Sequence, residues 1–235
     1  GCYDRLLLDE GVWREWTDAM PKNGCNQIVV DIGEGLVYPS HPELGVKGSW
    51  SADRMHEEVL RLKKLGLEPI PKLNFSATHD SWLGDYHRMV STPEYYRVCK
   101  DVISDVVRIF EKPALFHLGY DEETDIHQEK CDTMIIRQGE LWWHDFLWFE
   151  KTVSDLGVRP WIWADYIWWH KDAFVKRMPK RVLQSNWYYN SAKIDPAQHK
   201  APETQEAIRK HWDQRVWTAA YQWLEDAKVD QVPCG

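Results

Sequence analysis

The chain has 235 residues, and its 29 Lys and Arg against 37 Asp and Glu give a formal net charge of −8 at pH 7. No stretch of the chain is rich in Lys or Arg, so we expect no nucleic-acid partner. No apolar stretch approaches the roughly 18 residues that span a bilayer, and the five cysteines lack the spacing of a zinc module. The unusual feature of the composition is tryptophan, with 15 residues.

Short β-rich runs alternate with helical patterns along the chain. The predicted strands are residues 6–9, 27–33, 67–73, 114–119, 159–164, 181–187 and 229–233. Helices are predicted after the first strand as far as Met20, over 51–65, 92–110 and 141–153, after His170, and over 207–227.

Seven strand–helix alternations without a Ser/Gly linker indicate a single α/β domain, a (β/α)8 TIM-type barrel. A complete barrel of this kind needs roughly 250 residues. We therefore expect residues 1–235 to form one catalytic barrel domain that is incomplete at its C-terminus, with the eighth strand beyond Gly235.

Barrel enzymes carry their catalytic groups at the carboxyl ends of strands. The polar residues at the predicted strand ends are Asp9, Asp31, Glu34, Asn74, His79, Asp80, His117, Asp121, Glu122, Glu123 and Asp165. They are densest after the fourth predicted strand, in residues 116–124 (FHLGYDEET). Three adjacent carboxylates in a partly buried cleft cannot all ionise at low cost, so we expect at least one raised pKa and a proton donor.

Aromatic residues follow the fifth and sixth predicted strands. Trp163 and Trp187 end these strands, and Tyr188 comes directly after the second of them. The apolar faces of a sugar ring stack on such side chains. Carboxylates and aromatic rings at one end of a barrel indicate glycoside hydrolysis.

In these residues the sequence resembles the glycoside hydrolase family 20 β-N-acetylhexosaminidases. Residues 116–123 (FHLGYDEE) are similar to the family's H-x-G-G-D-E signature, with Tyr120 in place of the second glycine. Residues 70–84 (IPKLNFSATHDSWLG) resemble its I-P-E-x-D-x-P-G-H-x-x-S-W-G segment, and residues 41–53 (HPELGVKGSWSAD) its F-P-E-L…G-S-Y stretch. The likeness covers most of residues 5–187 in order.

The resemblance implies substrate-assisted, retaining removal of terminal β-linked N-acetylhexosamine, in which the substrate's 2-acetamido oxygen attacks the anomeric carbon. By position, Glu122 would be the general acid and then the base, and Asp121 would orient the acetamido group. The expected partner is a glycan, and a secreted, periplasmic or lysosomal-like location is an expectation from the resemblance only. Residues expected to bind substrate are Arg5, Asp31, Glu34, His79, Trp163, Asp165, Trp187 and Tyr188, and His117 and Tyr120 are expected to support them.

The chain departs from the family pattern at several positions. Lys72 and Asn74 stand where the family has Glu and Asp, and Gly33–Glu34 stands where it has paired Asp. The usual acidic partner of His79 is therefore missing unless Asp31 supplies it. The seventh predicted strand runs into QVPCG without a carboxylate, which agrees with catalysis that needs no protein nucleophile.

For three individual residues the sequence leaves two roles open. His117 is either a core histidine or support for the acid, and Trp163 either lines the site or packs in the core. Asp165 is either an acceptor for a substrate hydroxyl or the N-cap of the next helix. The helical residues Trp142, Trp143 and Trp148 are expected to pack and are excluded from the site.

Three other functions remain as alternatives. A divalent metal could bind His79, His117, Asp121 and Glu122, although we expect neither a metal nor another cofactor. A glycosidase for sugars without the acetamido group could use a second carboxylate such as Asp165. A non-catalytic glycan-binding barrel would keep the aromatic stacking and lose proton transfer.

Overall fold

The computed structural model describes residues 4–189 and 214–234, in which parallel strands alternate with helices. The strands are β1 Gln27–Asp31, β2 Glu68–Lys72, β3 Leu115–His117, β4 Arg159–Trp163 and β5 Leu183–Ser185. The helices are α1 Glu10–Ala19, α2 Ala52–Lys64, α3 Pro93–Ile109, α4 Asp125–Gln128, α5 Gly139–Asp155, α6 Tyr166–Arg177 and α7 Gln214–Asp226.

The residues divide into two compact units. Of the described residues, the first unit comprises 4–119 and 123–159, and the second comprises 120–122, 160–189 and 214–234. The expectation of one domain over the whole chain stays a prediction. None of the helices in the part of the chain that the structure describes is long and apolar enough to cross a membrane.

In the first unit, β1 pairs with β2 and β2 with β3, all in parallel. The register aligns Asp31 with Lys72 and Lys72 with His117, so the carboxyl ends of these strands meet at one edge. Local capping starts the surrounding helices, because the Ser51 hydroxyl accepts a hydrogen bond from a backbone N–H of α2 and Thr92 does the same for α3.

Aromatic side chains fill the core of the first unit. Phe75 packs on Phe149 with ring centroids 4.4 Å apart, and Tyr95 meets Phe149 edge-on at 6.1 Å. Trp142 and Trp143 on α5 are 2% and 1% exposed, which confirms that they are packing residues. Trp148 is half-buried, with its ring centroid 5.0 Å from that of Phe149.

The second unit is built on β4 and β5, which pair in parallel from Trp161–Leu183 to Trp163–Ser185. Residues 229–234 run beside β5 in the same direction, and form the isolated bridges Gln184–Gln231 and Trp187–Cys234. The seventh predicted strand is therefore an extended segment with bridge pairing. The predicted helix 207–227 is helical over Gln214–Asp226, and its earlier part lies outside the described residues.

The first predicted strand, residues 6–9, is wrong. Arg5 makes an isolated bridge with Lys47, and residues 6–9 belong to no strand. Leu7 and Leu8 are 65% and 38% exposed. Asp9 instead begins α1, because its carboxylate accepts hydrogen bonds from the backbone N–H groups of the helix start.

Candidate active site

The segment that follows β3 has an unusual backbone. Gly119, Tyr120 and Glu122 have φ angles of 74°, 72° and 56°. Such left-handed conformations are uncommon for residues other than glycine and concentrate at functional sites. Tyr120 takes this conformation where the family signature has its second glycine, so the substitution keeps the backbone shape that glycine favours.

His117 supports this segment from within β3. Its Nδ1 accepts a hydrogen bond from the Gly119 backbone N–H at 3.0 Å. Burial, and secondarily the charge of Lys72, lowers the pKa of His117 well below its usual value, so the imidazole is neutral at pH 7. His117 is therefore buried, as a core histidine would be, and also bonded to the turn that leads to Asp121 and Glu122.

Asp165 contacts the predicted acid directly. It follows β4 and is 6% exposed. Its Oδ2 accepts a hydrogen bond from the backbone N–H of Glu122 at 3.2 Å, and its Oδ1 accepts one from the indole Nε1–H of Trp187 at 2.8 Å. Asp165 lies at the N-cap position of α6, as one interpretation of the sequence had it, but its side chain makes no capping hydrogen bond to the helix.

The electrostatics of Asp165 differ from those of an exposed aspartate. Burial raises its pKa to about 8, and the neighbouring Asp121 carboxylate acts in the same direction. Hydrogen bonds from Trp187 and Glu122 oppose the shift. The raised pKa of Asp165, after β4, was not predicted from the sequence. The expectation of a raised pKa within the run 121–123 stays a prediction.

Aromatic rings surround Trp187. Its ring centroid lies 4.7 Å from that of Trp168 and 5.7 Å from that of Trp217. Asn186 holds this cluster, because its Oδ1 accepts from Trp168 Nε1 at 2.8 Å and its Nδ2 donates to the Trp217 carbonyl at 2.6 Å. Tyr189 stacks on Trp187 at 5.3 Å and is 68% exposed. A flat aromatic surface therefore reaches solvent here, and Trp217 is a member that strand-end reasoning missed.

The two other aromatic residues predicted for the site are half-buried. Trp163 is the last residue of β4, whereas Trp161 on the same strand is buried and donates to the Ser185 hydroxyl at 2.7 Å. Tyr188 donates its backbone N–H to the Cys234 carbonyl at 3.0 Å. Roles in substrate binding stay predictions for Trp163 and Tyr188.

Glu123, the third carboxylate of the run, belongs to the first unit and has a structural partner. Arg137, whose side chain is fully buried, donates to the Glu123 carboxylate from Nε at 2.9 Å and from Nη2 at 2.6 Å. The backbone N–H groups of Arg137 and Ala77 donate to the same carboxylate at 2.6 and 3.0 Å. Sequence reasoning missed this pair, because no spacing connects Arg137 to the motif.

Asp31 does not supply the acidic partner of His79. Its Oδ2 accepts a hydrogen bond from Lys72 Nζ at 2.7 Å, which joins the carboxyl ends of β1 and β2. His79 is half-buried in the turn after β2, where its backbone N–H donates to the Ser76 carbonyl at 2.8 Å. Lys72, which stands where the family has Glu, thus pairs with the Asp31 carboxylate that was a candidate partner for His79.

Arg5 and Glu34 lie elsewhere in the first unit. The Arg5 side chain is 61% exposed and bonds to the neighbouring Asp4 at 2.8 Å. Glu34 is half-buried in a 3₁₀ turn, and its backbone carbonyl accepts from the Ser49 hydroxyl at 2.6 Å. Their expected contacts with substrate stay predictions.

The fold is similar to those of solved β-N-acetylhexosaminidases. The enzyme from Bacteroides fragilis matches 97% of this chain with a TM-score of 0.65 and 17% identity, over 47% of its own length. Streptomyces plicatus β-hexosaminidase matches 98% with a TM-score of 0.63 and 13% identity, over 45% of its length. Flavobacterium johnsoniae chitobiase matches 88% with a TM-score of 0.62 and 15% identity, over 35% of its length.

These matches define the class of fold. The chain spans about half the length, or less, of these structures. It has the α/β fold of part of a TIM-type barrel like that of the hexosaminidases, which confirms the fold class and the fold resemblance predicted from the sequence. No protein-family model matches the sequence, and no curated protein matches it either.

Proposed function

We propose that the protein is a retaining glycoside hydrolase that removes terminal β-linked N-acetylhexosamine from glycans. One observation carries the proposal: the carboxyl end of β3 leads into an Asp–Glu pair, and Glu122 of this pair is held through its backbone by Asp165, which also bonds to Trp187. An acid beside an aromatic surface suits the protonation of a leaving sugar oxygen.

The proposed mechanism assigns a separate role to each carboxylate of the pair. Glu122 donates a proton to the glycosidic oxygen while the substrate's acetamido oxygen attacks the anomeric carbon and displaces the leaving group. Asp121 orients the acetamido group and stabilises the positive charge that develops on it. Glu122 then takes a proton from the water that opens the cyclic intermediate, and the anomeric configuration is retained.

The fold supports this proposal independently of the site. Three solved structures with the same fold are those of β-N-acetylhexosaminidases and a chitobiase. Fold alone does not determine function, so the argument for this activity rests on the carboxylate pair together with the aromatic residues.

Replacing Glu122 tests the proposal. In the full-length protein, E122Q is expected to lower kcat on an aryl β-N-acetylglucosaminide by about 10²- to 10⁴-fold, because the amide cannot transfer the proton. Binding of N-acetylglucosamine, measured by calorimetry, is expected to change little. E129Q makes the same chemical change at an exposed position of the same chain and serves as the matched control.

The alternatives give different results in the same assays. Wild-type turnover by E122Q would exclude Glu122 as the acid. Equal hydrolysis of glucosides or galactosides would favour a glycosidase that does not use the acetamido group. Sugar binding without hydrolysis across a broad glycoside panel would favour a glycan-binding barrel, and loss of activity on metal chelation would favour a metal site.

A further inference from the structure

Asp165 has a different environment from a residue that contacts substrate hydroxyls. It is 6% exposed, and both of its carboxyl oxygens already accept hydrogen bonds from protein N–H groups. These donors are the backbone of Glu122 and the indole of Trp187, which are 43 and 22 residues away in the sequence. One buried side chain therefore connects the loop after β3 with the aromatic residues that follow β5.

Glu122 needs such support because of its backbone conformation. Its φ of 56° lies in the left-handed region, which is strained for a residue other than glycine and persists only where the surroundings hold it. The hydrogen bond from the Glu122 N–H to Asp165 fixes the peptide group that precedes the Glu122 Cα. That peptide group determines the direction in which the Glu122 side chain leaves the backbone.

We propose that Asp165 is a positioning residue of the proposed glycosidase, which fixes the general acid Glu122 and the Trp187 ring in one arrangement and does not itself touch the substrate. This inference rests on the proposed function for its kinetic part and replaces the substrate contact first expected for Asp165. A misplacement of about 1 Å can cost about 100-fold in rate, so loss of this link acts on kcat more than on KM.

The titration of Asp165 can be measured without an activity assay. The titratable groups that act on it are Asp121 and Glu122, and Tyr189 lies nearby, stacked on Trp187. Because burial raises the pKa of Asp165 to about 8, this carboxyl changes charge in a range where ordinary carboxylates and tyrosines do not. The pKa of Tyr189 is raised above its ordinary value of 10, so the phenol titrates outside this range.

The first experiment follows the indole N–H of Trp187 by NMR between pH 6 and 9. The resonance is assigned by its absence from W187F. We expect it to shift with an apparent pKa of about 8 in the wild type, because Asp165 accepts its hydrogen bond, and to stay constant in D165N. A wild-type resonance that does not titrate in this range, or one that titrates equally in D165N, overturns the link.

The second experiment measures kinetics of D165N in the full-length protein. Asparagine has one acceptor oxygen in place of two, so one of the two N–H donors loses its partner. We expect kcat to fall about 10- to 100-fold while KM changes by less than about threefold. D172N, the same change at an exposed position on α6, is expected to keep wild-type kcat.

The outcomes separate this inference from the proposed function. If E122Q loses turnover while folded D165N keeps it, the positioning role is wrong and the glycosidase stands. If the wild type does not hydrolyse the N-acetylglucosaminide, the proposed function is wrong; if E122Q turns over as fast as the wild type, Glu122 is not the acid. In both cases the NMR titration alone decides whether Asp165 links Glu122 and Trp187.

Discussion

Gly119 shows how a single residue determines the loop that carries the proposed acid. Its φ is +74°, and a Cβ at this position would lie 2.0 Å from Asn74 Oδ1 and 2.8 Å from Asn74 Cα. Asn74 is itself buried and fixed, because its Oδ1 accepts from the Ser76 N–H and its carbonyl accepts from the Trp82 indole. A side chain at position 119 would therefore strain the backbone and overlap Asn74, and neither effect could relax easily.

For single residues we predict that G119A lowers the free energy of unfolding far more than G66A does. Gly66 also has a positive φ, of +88°, but a Cβ there meets nothing within 4 Å. G66A is therefore expected to cost about 1 kcal/mol from backbone strain alone, and G119A about 3 kcal/mol or more because overpacking against Asn74 is added. Urea denaturation of both variants measures this, and equal losses would mean that Asn74 moves aside.

Arg137 joins several elements of the first unit. Besides the Glu123 carboxylate after β3, its guanidinium donates to the Phe75 carbonyl after β2 at 2.6 Å and to Asp145 on α5 at 3.3 Å. Asp145 is fully buried and also accepts a hydrogen bond from the Ser91 hydroxyl at 2.6 Å. The elements are thus held by a buried ionic network in which each charge has partners.

We predict that E123Q costs about 3–5 kcal/mol of unfolding free energy, because Arg137 then keeps a buried charge that is only partly compensated. The double variant E123L/R137M also removes the guanidinium partner of the buried Asp145, so it is expected to recover little of this loss. D155N breaks the exposed Lys151–Asp155 pair and is expected to leave stability nearly unchanged. A loss as small in E123Q as in D155N would show that the buried pair contributes little.

At the scale of the whole molecule, the described residues of each compact unit include a buried carboxyl with a raised pKa. In the first unit it is Asp80, which is 1% exposed and whose Oδ2 has no hydrogen-bond partner among the described residues. Burial raises the pKa of Asp80 to about 8, against the opposing charge of Arg137. The unfolded pKa is about 3.9, so between about pH 4 and 8 the folded state holds a proton that the unfolded chain releases.

Stability is therefore predicted to fall as the pH rises toward 8, by up to about 1.4 kcal/mol per pH unit for each such carboxyl. D80N is expected to reduce this slope, while D132N, at an exposed position, is expected to keep it. Urea denaturation between pH 7 and 8 is the suitable measurement. The pKa values of His87 and His117 are lowered, so neither imidazole gains charge in the folded state over this range. An unchanged slope in D80N would contradict the prediction.

Local patterns in the sequence were enough to predict several features of the protein. Strand–helix alternation predicted the α/β barrel class, helical spacing predicted that Trp142 and Trp143 pack in α5, and the run 116–123 predicted the Asp–Glu pair after a strand. These three predictions succeed because periodicity and capping depend on residues that are only a few positions apart. The exception, residues 6–9, has the composition of a strand but lacks strand pairing, and pairing is not a local property.

The partner of each polar group, by contrast, depends on the folded chain and not on local pattern. Asp165 bonds to Glu122 across 43 residues, Asp31 to Lys72 across 41, and Glu123 to Arg137 across 14. A hydrogen bond requires donor and acceptor within about 3 Å and in suitable orientation, and residue spacing along the chain does not determine either. Burial likewise depends on the packed fold, so the raised pKa of Asp165 could not be assigned to that residue from the sequence.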